Sequence, residues 1–391
     1  MSLTRHHLLH GRWKSDSDQA PVLICIFQRG AADALNSLVP YQDDDYYHAR
    51  PTLALPAPQG SSQTLDVDGF FALPQASAGL KTLYDQGHLA LIPACGLPHG
   101  SRSHFDAQTL VESGVTDKTQ VDLGWLGRYL QATASPHDAL FRATAISGSV
   151  PRALLGAPDP LAVSSLGDFG LGELGGSPYQ DLLSELYGSN TPYNQEAQSA
   201  LGAMDVLAMA QPEQFLPDNG ADYPAGELGG KLLQAAQIIK ANMGAEILCL
   251  DVGGWDHHEN QANFLPGSLQ GLADSLLALH TDLGTRMQRV TVLVMTEFGR
   301  RVAENGSRGT DHGSAGLVYA LGAGVQGGQI HGRWPGLSAA NLQDGEDLAI
   351  TTDLRSLLVQ TLSRRLGFAN ALSLFPGFTE PAQPPQVIAP S

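Results

Sequence analysis

The chain has 391 residues, 42% of them apolar and only 16% charged, with a formal net charge of −17. Such a length carries two or three domains, or one large α/β domain, without disulfide staples, and the composition excludes disorder. No run approaches the roughly 18 apolar residues of a membrane span, and so acidic a surface argues against nucleic-acid partners. Cys25, Cys95 and Cys249 are an odd set, each beside apolar residues, and read as buried thiols rather than a disulfide framework or thiolate metal site.

Residues 1–20 read as a degenerate leader or flexible N-terminus. Thr4-Arg5-His6-His7-Leu8-Leu9 echoes the start of a twin-arginine export leader, with His6 in place of the second arginine, and Gly11 to Asp16 supplies no apolar core. The expectation is a cytoplasmic protein, or a periplasmic one whose leader was lost. Residues 21–391 are expected to form one domain. Pro21 to Phe27 is a continuous apolar run, as in a central strand covered on both faces. Further strands are expected at His88 to Ala94, Arg142 to Ser147, Glu246 to Asp251, Arg289 to Met295 and Leu317 to Leu321. Helical patterns occupy Ser103 to Glu112, Leu123 to Ala132, Ser268 to Arg286 and Thr352 to Leu366. Strands alternating with helices predict a mostly parallel sheet covered on both faces. Residues 151–226 break the rhythm: a glycine-dense stretch at 167–176, helical patterns at 179–187 and 195–209, then prolines, which together read as a helical cap or insertion. Four prolines in 380–391 suggest a loose tail.

In open α/β sheets ligands bind beyond the carboxyl ends of strands. Five loops there offer chemistry: Asp33; Gly100-Ser101-Arg102-Ser103-His104-Phe105-Asp106; Gly253-Gly254-Trp255-Asp256-His257-His258; Thr296-Glu297-Phe298-Gly299-Arg300; and Gly309-Thr310-Asp311-His312-Gly313. Asp256, His258 and His312 offer one carboxylate and two imidazoles, a set suited to zinc or another transition metal. Asp33, Glu297 and the Ser103 hydroxyl offer oxygen ligands for a second ion. Taken singly, Asp256 is also a helix cap, Asp311 a turn residue and Ser103 an N-cap. Ser103 stands equally where backbone donors stabilise an oxyanion. Arg102 pairs either with an anionic group or with solvent. Gly322-Ala323-Gly324-Val325-Gln326-Gly327 matches a dinucleotide fingerprint, but no helix follows it, and no G-x-S-x-G elbow is present.

Together with Arg29-Gly30-Ala31-Ala32-Asp33, Ser101 to Gln108 and Gly124-Trp125-Leu126-Gly127-Arg128-Tyr129-Leu130, these motifs resemble a bacterial family named only as domain of unknown function 1501. Its members look like the alkaline phosphatase and sulfatase superfamily. The resemblance implies an alkaline-phosphatase-like α/β/α sandwich with a mostly parallel sheet and a helical insertion. It also implies a two-metal hydrolase of phosphate or sulfate esters, acting on a small anionic ester with Ser103 as nucleophile and metal-activated water. The divalent metal would be zinc, with manganese, magnesium or calcium as alternatives. Asp33, Asp256, His258, Glu297 and His312 are the implied ligands, and Arg102 or Arg300 would hold the non-bridging oxygens. The pattern departs from the superfamily at Phe298, where a histidine is usual, and at His257 and His258, which follow Asp256 directly; His104, His257 and Asp311 are candidate substitutes. The alternative reading is a non-catalytic binding protein that keeps the fold with an incomplete metal site. The sequence leaves the oligomeric state open.

Overall fold

In a computed structural model, residues 20–60, 63–133, 140–167, 182, 185–187 and 191–390 are described. The leader up to residue 19, the glycine-dense stretch from 168 and most of the expected helix at 179–187 lie outside the described residues. The apolar run becomes β1 (Val22–Gln28), buried at every position. It lies between β7 (Ile247–Val252) and β8 (Val290–Thr296), parallel to both. The other strands are β2 (Thr64–Asp66), β3 (Ala72–Pro74), β4 (Leu89–Gly96), β5 (Ala143–Ala145), β6 (Leu161–Ala162), β9 (Gly316–Gly322), β10 (Gln329–Ile330) and β11 (Thr352–Asp353). Nine of these form one sheet, in the order β10-β4-β9-β8-β1-β7-β5-β6 with β11 also on β4; β2 and β3 pair separately.

Strand periodicity assigns the two faces. Val22, Ile24 and Ile26 join the cluster built with the helices Ala78–Asp85, Glu227–Lys240 and Gln261–Leu283. Leu23, Cys25 and Phe27 join a second cluster with His104–Ser113, Trp125–Ala132 and Leu354–Gln360. The result is the expected α/β/α sandwich. All three cysteines are free and buried, as expected.

Among the described residues, one strand of the main sheet alone breaks the parallel pattern, and the site depends on it. β9 runs antiparallel to both β8 and β4. Its N-terminal end therefore lies at the edge where β1, β4, β7 and β8 end, which brings residues 309–313 there. In a wholly parallel sheet that loop would sit at the opposite edge.

Several expectations change. The long helix begins at Gln261, seven residues before Ser268, and runs through Pro266. Proline removes one backbone donor, but Leu265 is buried and the Gln261 amide bonds both Asp33 and Thr310. Helix Glu227–Lys240 was not foreseen. Within 151–226, β6 extends the main sheet, and the helix Pro192–Ala210 buries Ala203 and Leu207 in the same core as β1. The tail is not loose. Val387 and Ile388 are fully buried, their amides donate to Gln360 Oε1 at 3.1 and 3.3 Å, and Ala389 N donates to Gly324 O. Ile388→Ala is therefore expected to cost about 2–5 kcal/mol, the range for emptying a buried site, as measured by urea denaturation; a loss under 0.5 kcal/mol would restore the loose tail.

Candidate metal centre

The loop after β1 turns back at Gly30, whose φ is +117°. A Cβ there would lie 2.6 Å from the Asp256 amide nitrogen, so only glycine lets this loop pack against the one following β7. Gly309 serves the same end, since a Cβ would come within 2.2 Å of the His258 carbonyl. Residues 299–301 pair with 311–314 through an isolated bridge between Arg300 and His312. Gly313 N donates to Gly299 O at 2.8 Å, and Arg301 N to Asp311 O at 2.9 Å. These approaches draw the loops after β1, β7 and β8 and before β9 together, and the loop after β4 reaches the same point through His104.

There, His104, Asp256 and His312 bring ligand atoms within 4.8 Å of one another, the one such group among the described residues. His258 joins them. Its Nε2 lies 3.0 Å from Asp256 Oδ1 and 2.8 Å from His312 Nε2. His312 Nε2 is 3.4 Å from Asp256 Oδ1, and His104 Nε2 is 3.4 Å from Asp256 Oδ2.

The outer nitrogens give this convergence its meaning. His104 Nδ1 lies 2.8 Å from Glu297 Oε1, His258 Nδ1 3.1 Å from Asp311 Oδ1, and His312 Nδ1 2.7 Å from the Arg102 carbonyl. An oxygen that only accepts requires Nδ1–H, so a neutral ring then presents Nε2 as a bare lone pair. Three such lone pairs converge on one carboxylate, and two of them face each other at 2.8 Å. Lone pairs that close repel unless a proton or a cation lies between them. His104 Nε2 is buried and has no hydrogen-bond partner. Burial, followed by the charges of Arg300, His104 and His258, lowers the His312 pKa against its bond to the Arg102 carbonyl, which favours the neutral ring a ligand needs. Burial alone would raise the Asp256 carboxyl, but the hydrogen bond and charge of Arg300 outweigh it and keep it ionised.

Glu297 does not stand among the converging atoms. It is buried, with Oε1 accepting from Gly30 N, Gln108 Nε2 and His104 Nδ1 and Oε2 from Thr296 Oγ1. Burial pushes its pKa up, yet these bonds outweigh it and hold the group below its ordinary value. It is the outer partner of His104. Asp33 is likewise committed: Arg50 Nη2 donates to Oδ1 at 2.8 Å, and Arg50 Nη1 and Gln261 Nε2 donate to Oδ2. With Asp33 and Glu297 engaged, the expected oxygen-ligand site is not formed in this arrangement.

Both arginines also depart from expectation. The Arg300 guanidinium is fully buried, donating to the carbonyls of Gly30, Ala31 and Thr310 and to Asp256 Oδ1. It fastens three loops and has no free edge for substrate. Arg102 Nη2 is bound to Asp347 Oδ2 at 2.6 Å. His257 is buried outside the cluster, with Nδ1 unpartnered. Phe298, in place of a histidine, lies against His104 and His312 with ring centroids 5.1 and 5.0 Å away. His104 thus enters the cluster beside it. Asp311 stands one step out, braced by Asn305 Nδ2 at 3.0 Å.

Ser103 occupies the N-cap position of the helix His104–Ser113, but its side chain makes no capping bond, and the residue is exposed beside His104. Sequence reasoning missed Arg50, Gln261, Asn305 and Asp347. None lies in a motif, and each acts only across long sequence separations or through a loop contact.

Fold and site define an α/β/α protein with a candidate metal centre at the edge where its parallel strands end. The chain belongs to the family described as "Protein of unknown function (DUF1501)", whose model matches residues 95–370. No curated protein matches it. Solved structures similar to it include an alkaline phosphatase from the Antarctic bacterium TAB5, at 10% identity over 80% of this chain and 94% of that one, with a TM-score of 0.34. A histidine-to-glutamate mutant of the TAB5 enzyme with Mg bound is similar at 11% identity over 80% and 94%, also at 0.34. Among the described residues, no helix is long and apolar enough to cross a membrane.

Proposed function

We propose that His104, Asp256, His258 and His312 hold a divalent transition ion, zinc first, and that the protein hydrolyses phosphate or sulfate esters. The observation that carries the metal is the set of three imidazoles, each with Nδ1 against an oxygen acceptor and Nε2 turned toward Asp256. A donor set with three nitrogens favours zinc over manganese, magnesium and calcium, which prefer oxygen. When bound, such an ion supplies Lewis-acid polarisation of an ester oxygen and activation of water.

The chain's own residues do the rest. Glu297, Asp311 and the Arg102 carbonyl fix the imidazole tautomers. Asp256 balances the buried Arg300 charge. The first-turn N–H groups of the helix His104–Ser113 have no intrahelical partner and form a seat for the anionic end of an ester. The exposed Ser103 hydroxyl stands beside that seat as nucleophile. The engagement of Asp33 and Glu297 supports the rival reading, a binding protein that kept one centre and lost turnover.

Ser103→Ala separates these roles. With no cap bond to lose, the variant should unfold within about 0.5 kcal/mol of the parent, against 0.5–2 kcal/mol for a working cap. Its turnover of an aryl phosphate or aryl sulfate with zinc should vanish. A parent inactive with both esters in zinc or manganese leaves the binding-protein reading. An active parent whose variant keeps its full rate removes Ser103 as nucleophile.

A further inference from the structure

We propose that Asp347 is a positioning residue of the metal centre, acting through Arg102 on His312; the inference rests on reading the cluster as a metal centre. Asp347 is fully buried, in a loop that lies outside every sequence motif and bridges back to Arg301. Its Oδ2 accepts from Arg102 Nη2 at 2.6 Å and from Ser314 Oγ at 2.8 Å, while Oδ1 is buried without a hydrogen-bond partner. A carboxylate held this deep with one oxygen unsatisfied is costly, and such a group persists where its charge is needed. The basic group paired with it is Arg102.

Arg102 is held at both ends. Its guanidinium is on Asp347, and its carbonyl accepts from His312 Nδ1 at 2.7 Å. It belongs to the irregular stretch between β4 and the helix His104–Ser113, so no regular backbone ladder fixes the direction of that carbonyl. On the other side of the same bond, Ser314 lies two residues beyond His312 and donates to the same carboxylate oxygen. Asp347 therefore staples the two segments flanking the His312–Arg102 bond. Gln343 Nε2 braces Ser314 Oγ at 3.1 Å, and the Asp347 amide donates to Gln343 O, so the staple is itself anchored. The acceptor opposite a ligating imidazole sets its tautomer, orientation and basicity, and losing such a partner weakens metal binding. Arg102 thus serves the centre with its carbonyl, and its charge is the handle by which that carbonyl is held.

The test is zinc affinity of the full-length apoprotein, read by competition with a chromophoric chelator, for the parent, Asp347→Asn, Arg102→Met and the double variant. Each single change should weaken zinc about 10–100-fold, and the double variant no further, because both break one linkage. The visible spectrum of the cobalt-substituted protein should change in all three, and the Arg102→Met apoprotein should melt lower than Asp347→Asn, because it leaves the buried Asp347 carboxylate without its cation. Variants that bind zinc like the parent, or losses that add in the double variant, overturn the positioning role and leave the centre standing. A parent that binds no zinc overturns both. Should Asp347→Asn not fold, Arg102→Met carries the test alone.

Discussion

Zinc added to His258→Ala or His312→Ala should leave the melting temperature unchanged, whereas the parent should gain about 2.7 kcal/mol at free zinc near 100 times Kd. The reason is linkage: an ion that binds the folded chain and not the unfolded one stabilises it, and the gain disappears with the ligands. These two positions are the cleanest choice. Both present Nε2 to Asp256 at 3.0 and 3.4 Å, and neither is paired with a buried arginine, so the apoprotein should keep its stability. Asp256→Ala would mix two effects, because it also strips the buried Arg300 of its carboxylate partner. Binding should weaken as pH falls and the imidazoles protonate, since only neutral rings ligate. Differential scanning fluorimetry with and without zinc, alongside elemental analysis, reads both quantities. Variants that gain as much as the parent would remove these histidines as ligands.

Asp33→Ala should cost about 3–5 kcal/mol of stability, as expected for leaving one member of a buried ion pair alone, and should leave the zinc affinity of the folded protein unaltered. Asp33 and Arg50 are both fully buried and joined through two hydrogen bonds, with Gln261 as a third donor. Burial raises the Asp33 pKa, but the charge and hydrogen bonds of Arg50, then Gln261 and Arg300, outweigh it, and the net shift is downward. A carboxyl whose folded pKa lies below its unfolded value contributes stability above the unfolded value, near 3.9, and loses it as pH falls through the folded one. Below about pH 4, the parent should therefore lose stability more steeply than Asp33→Ala. Urea titrations at pH 7 and at pH 3 measure both. A variant that melts like the parent while losing zinc would return Asp33 to the metal.

Much of this was legible in the chain. β1, β4, β7 and β8 announce themselves because strands covered on both faces must be apolar throughout, and their limits fall within about two residues of the expected ones. Asp256, His258 and His312 could be picked out because ligand-capable side chains follow strand ends and stand among glycines. His104 was legible only as a spare candidate, since nothing local distinguishes a ligating imidazole from a surface one.

Residue chemistry, as a property of composition and short spacing, was thus fixed by the sequence: which strands are central, which loops carry imidazoles and carboxylates, and which family the motifs resemble. The division of labour among those groups was decided by tertiary structure. Asp33 and Glu297 have the same donor chemistry as Asp256, yet Arg50, 17 residues from Asp33, claims the one, and His104, 193 residues from Glu297, claims the other. The direction of β9 is likewise invisible locally, because an apolar strand reads alike whichever way it runs. Its antiparallel pairing with β4 and β8 carries His312 to the edge where the other ligands wait. Ligand, outer partner and structural ion pair differ only in what lies within hydrogen-bonding reach, and that reach is set by tertiary contacts, from 17 residues apart for Asp33 and Arg50 to 193 for His104 and Glu297.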